Sequence, residues 1–148
     1  MIGDKVENFV LKDQNGNDFD LYKNLNQIVM LVFYPRDDSA VCSLQLKNYN
    51  LNIKNFSRDN IKIVGVNFGE VSEHKLFCDK MNFNFPILAD VNKEISTRFS
   101  ALNLWQQNKR KLILIGIDKR ILFEKTVFSF LYLNAEQIRK LLKKLEII

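Results

Sequence analysis

The 148-residue chain is 47% hydrophobic and carries a formal charge of +5 with a pI near 9.2, which is enough apolar material for one domain over residues 1–148. No apolar run reaches the length of a membrane span, the N-terminus lacks the pattern of a secretory signal, and two cysteines are too few for a disulfide scaffold. The 16 lysines are dispersed among 17 asparagines, and the dense cluster Arg139, Lys140, Lys143 and Lys144 reads as the solvated face of a terminal helix, so a cytoplasmic location with no nucleic-acid or membrane partner is expected.

Phe9 to Leu11 and Phe19 to Leu21 read as short strands around the turn Gln14-Asn15-Gly16-Asn17. Ile28 to Tyr34 is a β-rich apolar run of the kind buried on both faces, ended by Pro35. After a polar loop, Cys42, Leu46, Tyr49, Ile53 and Phe56 recur on one face of a helix, with Cys42 in its first turn. Ile61 to Phe68 is a second buried strand. Ser72 is the expected cap of a helix reaching Met81, with Val71 and Leu76 as a hydrophobic staple.

Phe85 to Leu88 reads as a short strand and Asn92 to Phe99 as a helix, while Lys111 to Ile117 and Ile121 to Val127 flank the turn Asp118-Lys119 as an antiparallel pair. Asn134 and Gln137 form a capping box for a last helix with Ile138, Leu141, Leu142, Leu145 and Ile148 as its stripe. Alternation of strand and helix predicts an α/β fold with a parallel core and helices on its faces.

The chemistry concentrates where the first buried strand ends. Cys42 stands at a helix start, where backbone N–H groups and the positive end of the helix favour a thiolate over a thiol. Position alone leaves two readings open, a reactive thiol and an inert core residue, because free cysteine is among the most buried residue types.

Pro35, Ser39 and Cys42 match the pattern Pro-x-x-x-Thr/Ser-x-x-Cys, and the chain thereby resembles the peroxiredoxins, in particular their bacterioferritin comigratory protein branch. The likeness extends over Leu31 to Asp38, Leu11 to Gly16, Val64 to Val66 and Phe85 to Asp90, almost the whole chain. It implies a thioredoxin-like α/β fold with a central mixed sheet and an N-terminal β-hairpin, and a peroxidase that needs no cofactor and no metal. Cys42 would attack the hydroperoxide, and Pro35 would wall the pocket against water. Ser39 and an arginine entering a later strand, carried here to Arg110, would stabilise the breaking O–O bond. The flanking Lys109 and Lys111 compete for that register.

The same resemblance gives Cys78 as a resolving cysteine, since some members of the branch place one there; others place it five residues after the peroxidatic one, where this chain has Lys47. At about 100° per residue Cys78 sits roughly 200° from Leu76, so it is expected off the apolar stripe and partly reachable. A disulfide requires Cα atoms within about 7 Å, which predicts unwinding of the helical turn around Cys42, with the turn around Cys78 as a second candidate. His74 is expected at the surface, because one His and two Cys fall short of a zinc site.

Where relatives read Thr-Pro-Gly-Cys-Thr, this chain has Ser39-Ala40-Val41-Cys42-Ser43, and Gln45 replaces a common Glu. Thioredoxin or a similar dithiol is the expected reductant and a monomer the expected state. Two rivals remain: a thiol–disulfide oxidoreductase, disfavoured by Cys42-Ser43-Leu44-Gln45 in place of Cys-x-x-Cys, and a basic binding module that keeps the fold without the activity.

Overall fold

The computed structural model describes residues 1–148. The chain opens with the expected hairpin, β1 (Val10–Lys12) and β2 (Asp18–Asp20), paired antiparallel with Leu11 opposite Phe19. Asp13 shapes the turn by accepting from the N–H groups of Asn15 and Asn17, as short acidic side chains do. Gly16 supplies the positive φ of +77° that the turn requires.

Five strands build the central sheet: β3 (Ile28–Phe33), β4 (Ile61–Asn67), β5 (Ile87–Ala89), β6 (Arg110–Ile115) and β7 (Ile121–Val127). Their order is β5-β4-β3-β6-β7, parallel across β3, β4 and β5 and antiparallel from β3 to β6 and β7. β3 lies in the middle, which explains its unbroken apolar sequence. Side chains alternate across it: Met30, Val32 and Tyr34 join the core on one face of the sheet, while Val29, Leu31 and Phe33 join the other.

The helices are α1 (Ala40–Leu51), α2 (Ile53–Arg58), α3 (Val71–Met81), α4 (Glu94–Arg98) and α5 (Ala135–Lys144). α1, α3 and α5 contribute to the first core, and the N-terminal hairpin and α4 cover the second. α5 has the expected capping box, with Asn134 accepting from the Gln137 N–H and Gln137 from the Asn134 N–H, each at 2.8 Å. Asp90, last of the Phe85 to Asp90 segment, accepts from the N–H groups of Ile95 and Ser96 and so fastens α4.

Two expectations need correction. The helix read from Cys42 through Phe56 breaks at Asn52, whose side chain donates to the Asn48 carbonyl at 2.8 Å and competes with the helical ladder. In α3 the cap is Glu70 rather than Ser72, and Leu76 is 74% exposed. The buried face consists of His74, Phe77 and Cys78, so the stripe is rotated away from the proposed Leu76 staple.

Candidate active site

Pro35 ends β3, a short loop follows, and Cys42 is the third residue of α1. Its side chain is wholly buried, in the first turn where N–H groups lack helical partners. Ser39 is the residue before the helix, with extended backbone, and its carbonyl accepts from the Ser43 N–H. The Ser39 hydroxyl donates to the Arg36 carbonyl at 3.2 Å, so in this arrangement it braces the loop instead of facing the sulfur.

Arg110 begins β6, the two-residue alternation of that strand separates it from Lys111, and it is only 3% exposed. Nη1 stands 3.3 Å from Cys42 Sγ and donates to Gln45 Oε1 at 2.6 Å. Nε and Nη2 both donate to the Ser129 carbonyl, at 3.1 and 2.6 Å. Lys111, next along the strand, points to the opposite face and donates to the Phe99 carbonyl; burial pushes its amine pKa down. The register with Arg110 at the sulfur is therefore the one the strand adopts.

The guanidinium is held by a chain of neutral acceptors. Gln45 Nε2 donates to Tyr49 Oη at 3.1 Å, and Tyr49 Oη donates to the Leu133 carbonyl at 2.6 Å. Cys42, Gln45 and Tyr49 share one face of α1, so a single helix presents sulfur and amide to one arginine and backs the amide with a phenol. Outside this shell, Phe128 and Phe130 bracket Ser129 and stack on one another in solvent, centroids 5.6 Å apart and planes within 6°.

Cys78 lies in the same apolar core as Cys42 and is 4% exposed, which corrects the expectation of a partly reachable thiol. Burial, reinforced by the negative charges of Asp37 and Asp79, pushes its pKa up to about 12. Burial also raises the Tyr34 phenol well above its usual range, with Asp37 and the two thiols adding to the effect. His74 is completely buried, not a surface residue, because Asp37 and the Asn67 carbonyl satisfy its ring nitrogens. No cluster of three or more His, Cys, Asp or Glu side chains suited to a metal occurs.

The AhpC/TSA family matches this chain over residues 2–123. The chain belongs to that family. A Helicobacter pylori (strain J99) protein assigned as peroxiredoxin bcp is 28% identical over 100 residues, covering 68% of this chain and 66% of the relative. Peroxiredoxin Q of Triticum aestivum, a chloroplast protein, is 25% identical over 138 residues, 93% of this chain and 61% of the relative. The matched stretch thus spans a little under two thirds of these curated relatives. Among solved structures, a Cys-to-Ser variant of PrxQ from Xylella fastidiosa superposes with a TM-score of 0.86 at 26% identity, covering 99% of this chain and 96% of that one. The protein is a peroxiredoxin of the bacterioferritin comigratory protein/PrxQ branch with a thioredoxin-like α/β fold.

Of the residues singled out in sequence, Cys42 and Arg110 of this peroxiredoxin are in contact, Pro35 and Ser39 shape the adjoining loop, and Cys78 shares the core. Gln45 stood out in sequence only as a departure, and it proves to carry the arginine. Ser129 was missed, since a backbone carbonyl leaves no side-chain signal. Asp37 and Asn67 were also missed and His74 was placed at the surface; the recurrence of His74, Phe77, Cys78 and Met81 at helical spacing was the available clue to its burial.

Proposed function

We propose that this peroxiredoxin is a thiol-dependent peroxidase acting on hydrogen peroxide and organic hydroperoxides through Cys42. The observation that carries the reading is the 3.3 Å contact between a buried guanidinium and the sulfur of a helix-start cysteine. A positive charge and unpaired N–H groups at that position stabilise negative charge on sulfur and, in the transition state, on the oxygens of the breaking bond. Cys42 sulfur takes the terminal oxygen, the O–O bond breaks, and the remaining oxygen leaves as water or alcohol after gaining a proton. Pro35, with no N–H, closes one side of the site to water, and the Ser39 hydroxyl adds a donor when it turns from the Arg36 carbonyl to the peroxide.

Cys78 then resolves the sulfenic acid: the S–O bond at Cys42 breaks, an S–S bond forms, and water carries away the hydroxyl with the Cys78 proton. With its pKa held at about 12 by burial, Cys78 is a poor nucleophile while α3 is closed. Exposure on local unwinding removes the chief cause of that shift. A thioredoxin or similar dithiol reduces the disulfide.

The test exposes the reduced protein to one equivalent of hydrogen peroxide at neutral pH, with quenching within seconds and mass-spectrometric mapping of both thiols. Rapid Cys42–Cys78 disulfide formation is expected, blocked in Cys42→Ser and replaced by a Cys42 sulfenic acid in Cys78→Ser. A Cys42 that reacts no faster than a free thiol would overturn the peroxidase and favour a binding module on the same fold.

A further inference from the structure

A second polar network lies beside the thiols and takes no part in holding Arg110. His74 is fully buried in α3, one turn before Cys78. Its Nδ1 is 2.6 Å from Asp37 Oδ2, and its Nε2 is 3.3 Å from the Asn67 carbonyl. Asp37 belongs to the loop between Pro35 and Cys42, and its other oxygen accepts from the Tyr34 hydroxyl at 2.5 Å. Asn67, at the end of β4, donates to the carbonyls of Tyr34 and Pro35 at 2.9 and 3.0 Å. One network thus joins the loop that carries the peroxidatic segment to the helix that carries the second thiol.

Cys42 lies in the first turn of α1 and Cys78 in the body of α3, so a disulfide between them, with Cα atoms within about 7 Å, draws on movement of that loop and of α3. Two polar contacts bind loop to helix. Lys80 to Asp38, at 2.8 Å, has both side chains more than half exposed and holds little. Asp37 to His74 is shielded, with side chains 13% and 0% exposed, and separating a buried hydrogen bond of this kind is costly. The fit is close on the far side too: a Cβ on Gly69 would stand 3.0 Å from His74 Cε1 and 3.2 Å from Asn67 Oδ1 and Glu73 Oε2, so the imidazole or its neighbours would have to give by a few tenths of an ångström.

We propose that the Asp37–His74 contact is a latch between the active-site loop and α3 that sets how fast Cys78 reaches the Cys42 sulfenic acid. His74 is then a positioning residue for the resolving step, an inference that rests on the reading of Cys78 as the resolving thiol. The closed latch fastens α3 to the loop; its opening frees α3 to unwind.

The experiment is a single turnover with one equivalent of hydrogen peroxide, in which sulfenic acid and disulfide are quantified separately by rapid acid quench and mass spectrometry. The proteins are the wild type, His74→Phe, which fills the imidazole's space without a donor, and His74→Asn, whose Nδ2 can stand where Nδ1 stood. His74→Phe is expected to convert sulfenic acid to disulfide about tenfold faster, with the preceding oxidation of Cys42 changed less than about twofold on that scale. It should also require more peroxide for overoxidation to the sulfinic acid. His74→Asn should restore the wild-type resolving rate, which a general loss of packing would not. Gly69→Ala, which presses a methyl group on the imidazole, should accelerate the same step and serves if His74→Phe does not fold. Unchanged or slower disulfide formation in these variants would overturn the latch alone. Absence of a Cys42–Cys78 disulfide in the wild type would overturn the resolving role and the latch together.

Discussion

Cys42 and Cys78 occupy the same apolar core and are equally shut off from water, yet their electrical surroundings are opposite. Cys42 has a guanidinium 3.3 Å away and sits in the first turn of α1. Cys78 sits in α3 with the carboxylates of Asp37 and Asp79 and the ammonium of Lys75 as charged neighbours, and burial first, then the two carboxylates, push its pKa up to about 12. Shared burial therefore does not give the two thiols the same surroundings. On the proposed mechanism the attacking sulfur is the one with a fixed positive charge beside it at a helix start, and the waiting sulfur has neither.

The sharpest way to break this contrast is to remove the guanidinium. Arg110→Met should slow the peroxide reaction of Cys42 by about 100- to 1000-fold, the usual loss for one essential charge-stabilising donor; competition kinetics against a fluorogenic thiol peroxidase substrate would measure it. An unaltered rate would mean that the helix start alone suffices.

A smaller change keeps Arg110 and gives it a competing anion. Gln45→Glu places a carboxylate on the same Nη1 that faces the sulfur, and about a tenfold slower reaction is expected as charge is diverted from the thiolate and transition state. Stopped-flow fluorescence against pH would separate this from a loss of folding, since the deficit should shrink as the new carboxylate is protonated in acid.

The smallest effect concerns Cys78. Its pKa is raised from 9.0 to about 12 in the folded protein, so the unfolded chain loses this proton first, and the native state loses stability as pH rises from about 9 towards 12. At pH 10 the loss is about 1 kcal/mol, a few degrees of melting temperature. Thermal melts of Cys78→Ala should show a shallower alkaline decline than the wild type, while the two run parallel below pH 8. Identical slopes would remove Cys78 as a cause.

Much of this site could be read from the sequence because it follows local rules. The position of Cys42 came from a strand, a proline and a helical repeat, whereas Arg110 came from the family resemblance, with two-residue alternation along β6 separating it from Lys111. His74 was misread because a polar side chain in a helix is usually at the surface; its burial depends on Asp37, 37 residues earlier in sequence, and on a carbonyl of β4. The same error shifted the apolar face of α3 to Leu76 and made Cys78 seem reachable. The break at Asn52 had a visible cause, an asparagine able to bond its own helix, but the apolar periodicity of Ile53 and Phe56 runs straight across it.

The neutrality of Gln45 has one more consequence. Among the groups that Arg110 bonds, the Gln45 amide and the Ser129 carbonyl carry no charge, which leaves the sulfur as the sole partner able to balance the guanidinium. On the proposed mechanism, oxidation of the sulfur to an uncharged sulfenic acid would remove that balance and leave a buried guanidinium without a counter-charge, a costly arrangement. Oxidation would then itself push the site to admit water and let the surrounding helices give way.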